Sequence, residues 1–202
     1  MKESSLTDLI YNSAIKKNPV FSAGLVIAPV VVYATSFSKA LTLVIAFSFL
    51  TFFTLLFSSF VPRKIVYTIR ITLYTIIGAL VYVPVAVILN TLIPEQINSM
   101  GIYFPLLITN SFIVSRSETT FFAESRGNMF LDIIFSIIGY DAAVLIFGLV
   151  REIISTGEFY GQVIDVPLNF PIFSNIYGGF ILLGIFAALF RGILYFIQKF
   201  KA

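Results

Sequence analysis

Apolar and polar positions alternate along the chain in long blocks, and charges divide it into six hydrophobic segments. A modest apolar stretch lies between Lys17 and Lys39 and contains Pro29, which is expected to break it. An uninterrupted run covers residues 41–61 and ends in the turn Pro62-Arg63-Lys64. Residues 65–93 form a second long run, with Arg70 near its start and Pro84 inside. Residues 100–115 are again short and interrupted, by Pro105. Residues 130–150 form a long run carrying Asp132 and Asp141. A polar loop follows over 156–172, and residues 176–197 are the last run, with Arg191 near its end. About 20 apolar residues cross roughly 30 Å of hydrocarbon as a helix. The pattern therefore predicts an all-α polytopic membrane protein of six transmembrane helices.

The segments run short and broken, long, long, and then repeat that order. Gly24 to Pro29 is followed by apolar residues and Thr35-Ser36; Gly101 to Pro105 is followed by apolar residues and Thr109-Asn110-Ser111. Corresponding interrupted segments in two halves point to an inverted repeat with a central site. On that reading one membrane domain, 19–202, holds two inverted three-helix halves, about 19–93 and 100–198, and the first helix of each is short and broken. Two unrelated Pro-kinked helices fit the pattern equally well. Ahead of the domain, Ser5 with Asp8 fits a capping box, and Leu6, Leu9, Ile10 and Ala14 share one helical face. Residues 1–18 thus read as a cytoplasmic amphipathic segment on the membrane surface, or as a frayed tail.

Charge sets the orientation. With six spans and both termini in the cytoplasm, every one of the 13 basic residues except Lys39 and Arg151 falls on the inside. The opposite orientation inverts that ratio, so the positive-inside rule predicts cytoplasmic termini in a plasma membrane. Composition agrees: 58% of residues are hydrophobic and 11% charged, against about a quarter charged in soluble domains. The basic residues form no run of the kind that binds nucleic acid. The chain has no His and no Cys, which excludes disulfides, thiolate nucleophiles, Cys-held clusters and the usual zinc sites.

Few residues are left to carry chemistry. Asp132 and Asp141 fall inside a predicted span, where a carboxylate costs several kcal/mol and is a functional candidate by default. Nine residues apart, they lie about half a turn out of phase and cannot work as an acid/base pair. Asp132, near the cytoplasmic end, reads best as pairing with a nearby basic residue. Asp141 is deeper, and either binds a cation or makes a structural hydrogen bond to another helix. Thr109, Asn110 and Ser111 follow Pro105, where small polar side chains can satisfy freed backbone groups or line a path. Arg116 with Glu118, and Arg151 with Glu152, close two segments and are expected to mark membrane edges. No phosphate-binding loop, dinucleotide fingerprint or catalytic triad is present, so the chain is expected to be at most a non-catalytic subunit.

At these segments the chain resembles the small membrane subunits shared by the Rnf complex and the sodium-pumping NADH:quinone oxidoreductase (Nqr). The match runs to the Rnf E subunit and the Nqr D subunit. It rests on Asn18-Pro19 with Ala28-Pro29, on Gly101-Ile-Tyr-Phe-Pro-Leu-Leu-Ile-Thr-Asn-Ser111, on Arg116-Ser-Glu118, and on Asp132 ahead of Arg151-Glu-Ile153 and Gly157. The resemblance implies six spans in two inverted halves, with two broken helices meeting at mid-membrane. It also implies one Cys on each broken helix, and an iron–sulfur cluster held between two such subunits. Here those two positions are Ala28 and Ser111. Ala has no ligand atom, and Ser is a poor replacement for thiolate at iron–sulfur clusters.

The expected function is therefore a subunit of an Rnf/Nqr-type ion-translocating electron-transport complex, in a Cys-free variant without the intramembrane cluster. No cofactor is expected on this chain alone. The implied partners are a homologous small subunit of opposite topology, flavin-bearing subunits and the bilayer. A transporter of a flavin-like small molecule on the same scaffold, and a plain assembly subunit, are the competing readings. Pro29, Pro105 and the polar residues named above are the candidate structural or ion-path positions.

Overall fold

A computed structural model describes residues 18–21, 24–62, 64–119, 126–160, 162–163 and 170–201. The expected surface segment over 1–18 lies, apart from Asn18, outside the described residues, as do the side chain of Arg126 and much of the 156–172 loop. The elements are α1 (Ile27–Tyr33), α2 (Phe37–Ser58), α3 (Tyr67–Leu92), α4 (Pro94–Met100), α5 (Tyr103–Leu106), a 3-10 turn (Leu107–Thr109) and α6 (Ser111–Thr119). They continue with α7 (Arg126–Thr156), β1 (Glu158–Phe159), β2 (Gln162–Val163), a 3-10 turn (Pro171–Ser174) and α8 (Ile176–Lys201). The two-residue strands pair antiparallel in the loop after α7; this hairpin is too short to show in the hydrophobic pattern.

Four of these helices, α2, α3, α7 and α8, are long and apolar enough to cross a membrane, and α4 with α5–α6 makes a fifth if that pair, bent by 73°, is one span. The first broken segment contributes only the seven-residue α1, which rises about 10 Å and cannot cross alone.

The prolines expected to break the two short segments instead begin their helices. Pro29 is the third residue of α1, and Pro105 the third of α5. Backbone N–H groups in a first turn have no intrahelical acceptor, so a missing donor there costs nothing. The breaks fall elsewhere. Val26, ahead of α1, has φ 57°, a strained conformation for a β-branched residue. Asn110, between the 3-10 turn and α6, is extended with φ −75° and ψ 141°.

The core lies between α2 and α7. On α2, Leu43, Ala46, Phe47 and Leu50 are fully buried, spaced i, i+3, i+4, i+7, and on α7 Ile133, Tyr140, Val144 and Phe147 oppose them, spaced i, i+7, i+11, i+14; each set is a stripe along one helical face. The Phe47 and Tyr140 rings stack with centroids 3.7 Å apart, and Phe112 of α6 reaches Phe47 at 5.6 Å. The opposite faces carry exposed Phe49, Phe53, Phe57, Ile138 and Ile146, as helix faces meeting lipid do. One close approach fixes the crossing: a Cβ on Gly148 would stand 2.5 Å from Ala40 Cβ, so the absent side chain lets the two backbones meet. α3 and α8 flank this pair and are mostly exposed.

Candidate functional site

The two broken segments interrupt the helical backbone, and inside a membrane protein such backbone survives only where its polar groups are satisfied within the protein. In the second segment Asn110 does this. Its side-chain Nδ2 donates to Leu107 O (2.7 Å), and its Oδ1 accepts from Ile113 N (2.9 Å), which caps the N-terminus of α6. Thr109 makes only a 3.4 Å contact with Leu106 O. Ser111 is exposed, as is Ala28 on the first segment.

Both segments are tied to α7, one at each end of that helix. At one end Arg116 Nη1, on α6, lies 3.2 Å from both carboxylate oxygens of Asp132 in a buried ion pair. Two residues along α6, Glu118 turns the other way and accepts from Arg70 Nε (3.0 Å), Arg70 Nη2 (2.5 Å) and Tyr74 Oη (2.9 Å) of α3. Spacing i, i+2 puts Arg116 and Glu118 on different sides of their helix, so one short helix is anchored to two neighbours.

At the other end of α7, Arg151 is fully buried. Its guanidinium donates to backbone carbonyls of Val31 and Ala34 at the C-terminal end of α1, and of Phe173, Ser174 and Asn175 ahead of α8. The last carbonyls of a helix have no intrahelical donor, and a cation there also meets the negative end of the helix dipole. Adjacent Glu152 accepts from Phe37 N (2.9 Å), at the N-terminus of α2. The fork of guanidinium donors is what allows one side chain to hold several carbonyls. Gly179 makes room for it: a Cβ there would lie 2.9 Å from the Arg151 guanidinium. Arg151 and Glu152 therefore do more than mark an edge; they hold the end of α1 to the start of α2 and to the approach to α8.

Sequence reasoning missed two contacts, those of Asn18 and Tyr33, and named no partner for the hydrogen bond to another helix that it offered for Asp141. Asn18 is buried; its Nδ2 donates to Gly139 O (2.8 Å) on α7 while Oδ1 accepts from Val20 N and Phe21 N. An Asn-Pro dipeptide is a turn signal, and that much was readable. Tyr33 Oη reaches Gln96 O and Ser99 Oγ of α4, linking the first broken segment to the helix before the second. Ser48 Oγ donates to Asp141 Oδ2 (2.8 Å). Asp132 and Asp141 thus face different neighbours, as their spacing requires. Among the described residues no cluster of His, Cys, Asp and Glu could hold a metal ion.

Comparison with known proteins agrees with a membrane protein. Residues 6–193 match the family described as "Rnf-Nqr subunit, membrane protein". The D subunit of the Na(+)-translocating NADH-quinone reductase of Pseudomonas aeruginosa (strain LESB58) is 26% identical over 159 residues, covering 79% of this chain and 71% of the relative. Its namesake from Haemophilus ducreyi is 27% identical over 161 residues, 80% of this chain and 78% of its own. The E subunit of the Na(+)-translocating ferredoxin:NAD(+) oxidoreductase complex of Acetobacterium woodii is 25% identical over 177 residues, 87% of this chain and 90% of its own.

Proposed function

Since this chain belongs to the Rnf-Nqr family of membrane subunits, we propose that it is an integral membrane subunit of a Na+-translocating electron-transport complex, of the kind its relatives' names describe. The observation that carries this reading is the pair of broken segments, each clamped to α7, with Ala28 and Ser111 exposed on them. A rigidly held, exposed position on each broken segment suits a subunit that presents those segments to a partner. In this proposal the partner is a homologous small subunit of opposite topology, and flavin sits on other subunits. α1 and α4–α6 act as the broken first spans of two inverted three-helix halves, making six spans. Both termini face the cytoplasm of a bacterial or archaeal cell, because the basic residues concentrate on that side.

The chain differs from what the family resemblance implies at two positions. Where a thiolate would stand on each broken segment, there is a methyl group at Ala28 and a hydroxyl at Ser111, and the sequence has no Cys at all. The proposed subunit therefore holds no intramembrane iron–sulfur cluster. This loss also gives weight to a second reading, a transporter for a flavin-like small molecule, which needs the scaffold but no sulfur ligand.

One experiment separates the two readings. The tagged chain is purified in mild detergent, co-purifying chains are identified by mass spectrometry, and iron and flavin are quantified. Recovery of a second small subunit with flavin-bearing subunits supports the complex. Recovery alone, or with an ATPase, supports the transporter. Iron stoichiometric with the chain, bound to it in isolation, overturns the absence of a cluster.

A further inference from the structure

Asp141 plays no part in the clamps. It is the middle residue of α7, fifteen residues from either end, and Ser48 lies near the middle of α2. At 1.5 Å per residue, Asp141 stands about 22 Å from each end of its helix, which is mid-bilayer for a helix of this length. Its Oδ2 accepts from Ser48 Oγ (2.8 Å), while its Oδ1 is buried without a hydrogen-bond partner among the described residues. Nor does Asp141 have an ion-pair partner there: the ion pairs are Arg70–Glu118 and Arg116–Asp132.

None of the charged residues described on the elements packed around it forms an ion pair with Asp141. On α2, Lys39 lies nine residues from Ser48. On α7, Asp132, Arg151 and Glu152 lie nine or more residues away. On α8, Arg191 is exposed and is flanked by Phe190 and Ile193, which line a cavity with Gly139 and Ala142 of α7, but it forms no ion pair with Asp141. The neighbouring Tyr140 is fully buried against Phe47. Beside the Asp141–Ser48 pair, a groove of about 350 Å³ opens between α2 and α7, lined by Ser48, Phe49, Phe52, Ile134, Ile137 and Ile138; Asp141 does not line it and borders it through Ser48. Phe49 and Ile138 lie on the exposed, lipid-facing side.

We propose that Asp141 is a mid-membrane proton-binding site, carried as the neutral acid against Ser48 and open to the lipid phase through the groove between α2 and α7. An ionised carboxylate with no cation beside it is too costly at this depth. A metal cation is the poorer occupant, because hard cations take six or more oxygens, and the site offers one carboxyl and one hydroxyl beside an apolar groove. The site stands apart from the broken segments and does not depend on the complex proposed above.

A neutral carboxylic acid facing lipid has a specific reactivity. With a carbodiimide its proton passes to one carbodiimide nitrogen, while a carboxyl oxygen bonds to the central carbon and one C=N π pair is consumed. The O-acylisourea formed then rearranges by acyl transfer to nitrogen, giving a stable N-acylurea with nothing lost, so the chain gains the mass of the whole reagent. An ionised, Arg-paired carboxylate lacks the proton that begins this sequence.

The test treats the full chain in phosphatidylcholine vesicles with lipid-soluble N,N′-dicyclohexylcarbodiimide, and in parallel with a water-soluble, cationic carbodiimide. Adducts are read by intact mass and peptide mapping. The expected result is a single adduct on Asp141 with the lipid-soluble reagent, at least tenfold above labelling of Asp132 or Glu118. It is absent from Asp141→Asn, which keeps the size of the side chain and an acceptor for Ser48, and it persists in Ser48→Ala. No adduct on Asp141 of the wild-type chain overturns the proposal. So does equal labelling by the water-soluble reagent, since Asp141 would then face water rather than lipid.

Discussion

Single side chains decide how this membrane protein holds irregular backbone, and Arg151 is the clearest case. It meets five carbonyl oxygens from two stretches of chain, and among the described residues no carboxylate is its partner. Lys carries the same charge but only one nitrogen with three donors, so Arg151→Lys must abandon some of those carbonyls. Each buried acceptor left unpaired costs about 1–3 kcal/mol. The variant is expected to unfold at a clearly lower temperature in detergent, by about 2–3 kcal/mol in stability, with α1 becoming the first proteolysed segment. The partly buried pair Arg70–Glu118 and the buried pair Arg116–Asp132 differ in the same sense. Removing the carboxylate charge in Asp132→Asn breaks a buried ion pair, at about 3–5 kcal/mol; a double-mutant cycle with Arg116→Gln is expected to recover part of that loss. Which residues would matter was legible in the sequence, since charges are rare in such a chain. What each one meets was not, because every hydrogen-bond acceptor of Arg151 among the described residues is a backbone carbonyl, and every residue carries the same carbonyl.

Element by element, the long helices follow from the sequence with ends that shift by a few residues, inward for α3 and outward for α7. The run read over 130–150 becomes α7, Arg126–Thr156, because polar residues such as Arg126, Arg151 and Glu152 continue a helix past its apolar part. The short segments were found in the right places, but their breaks were misassigned to proline. Proline interrupts a helix only when it follows the first turn, and the sequence alone does not say where that turn begins. Helix contacts were not legible either. Nothing in the string distinguishes Gly148, pressed against Ala40, from Gly192 on α8, which has open space around it. Gly148→Ala is therefore expected to push α2 from α7 and cost about 1–3 kcal/mol, while Gly192→Ala leaves thermal stability in detergent unchanged or slightly raised.

Across the whole molecule, the absence of Cys that sets this chain apart also makes its topology easy to read. Any introduced thiol is the only one present. Lys39→Cys and Lys64→Cys both replace exposed residues, at opposite ends of α2. In intact cells, a membrane-impermeant maleimide is expected to label position 39 and to spare position 64; the reverse pattern would invert the proposed orientation. The largest consequence comes from α7, which grips one broken segment through Asp132 and the other through Arg151. These residues lie nineteen positions apart, about 28 Å along the axis. The helix thus acts as a gauge block: its length and winding fix the height and bearing of the two segments together. Inserting one residue between the grips, on the lipid-facing side near Ile146, would advance one grip by about 1.5 Å and turn it by about 100°. One grip must then fail however well the rest repacks, so the spacing between the two segments is written in the residue count of a helix that belongs to neither.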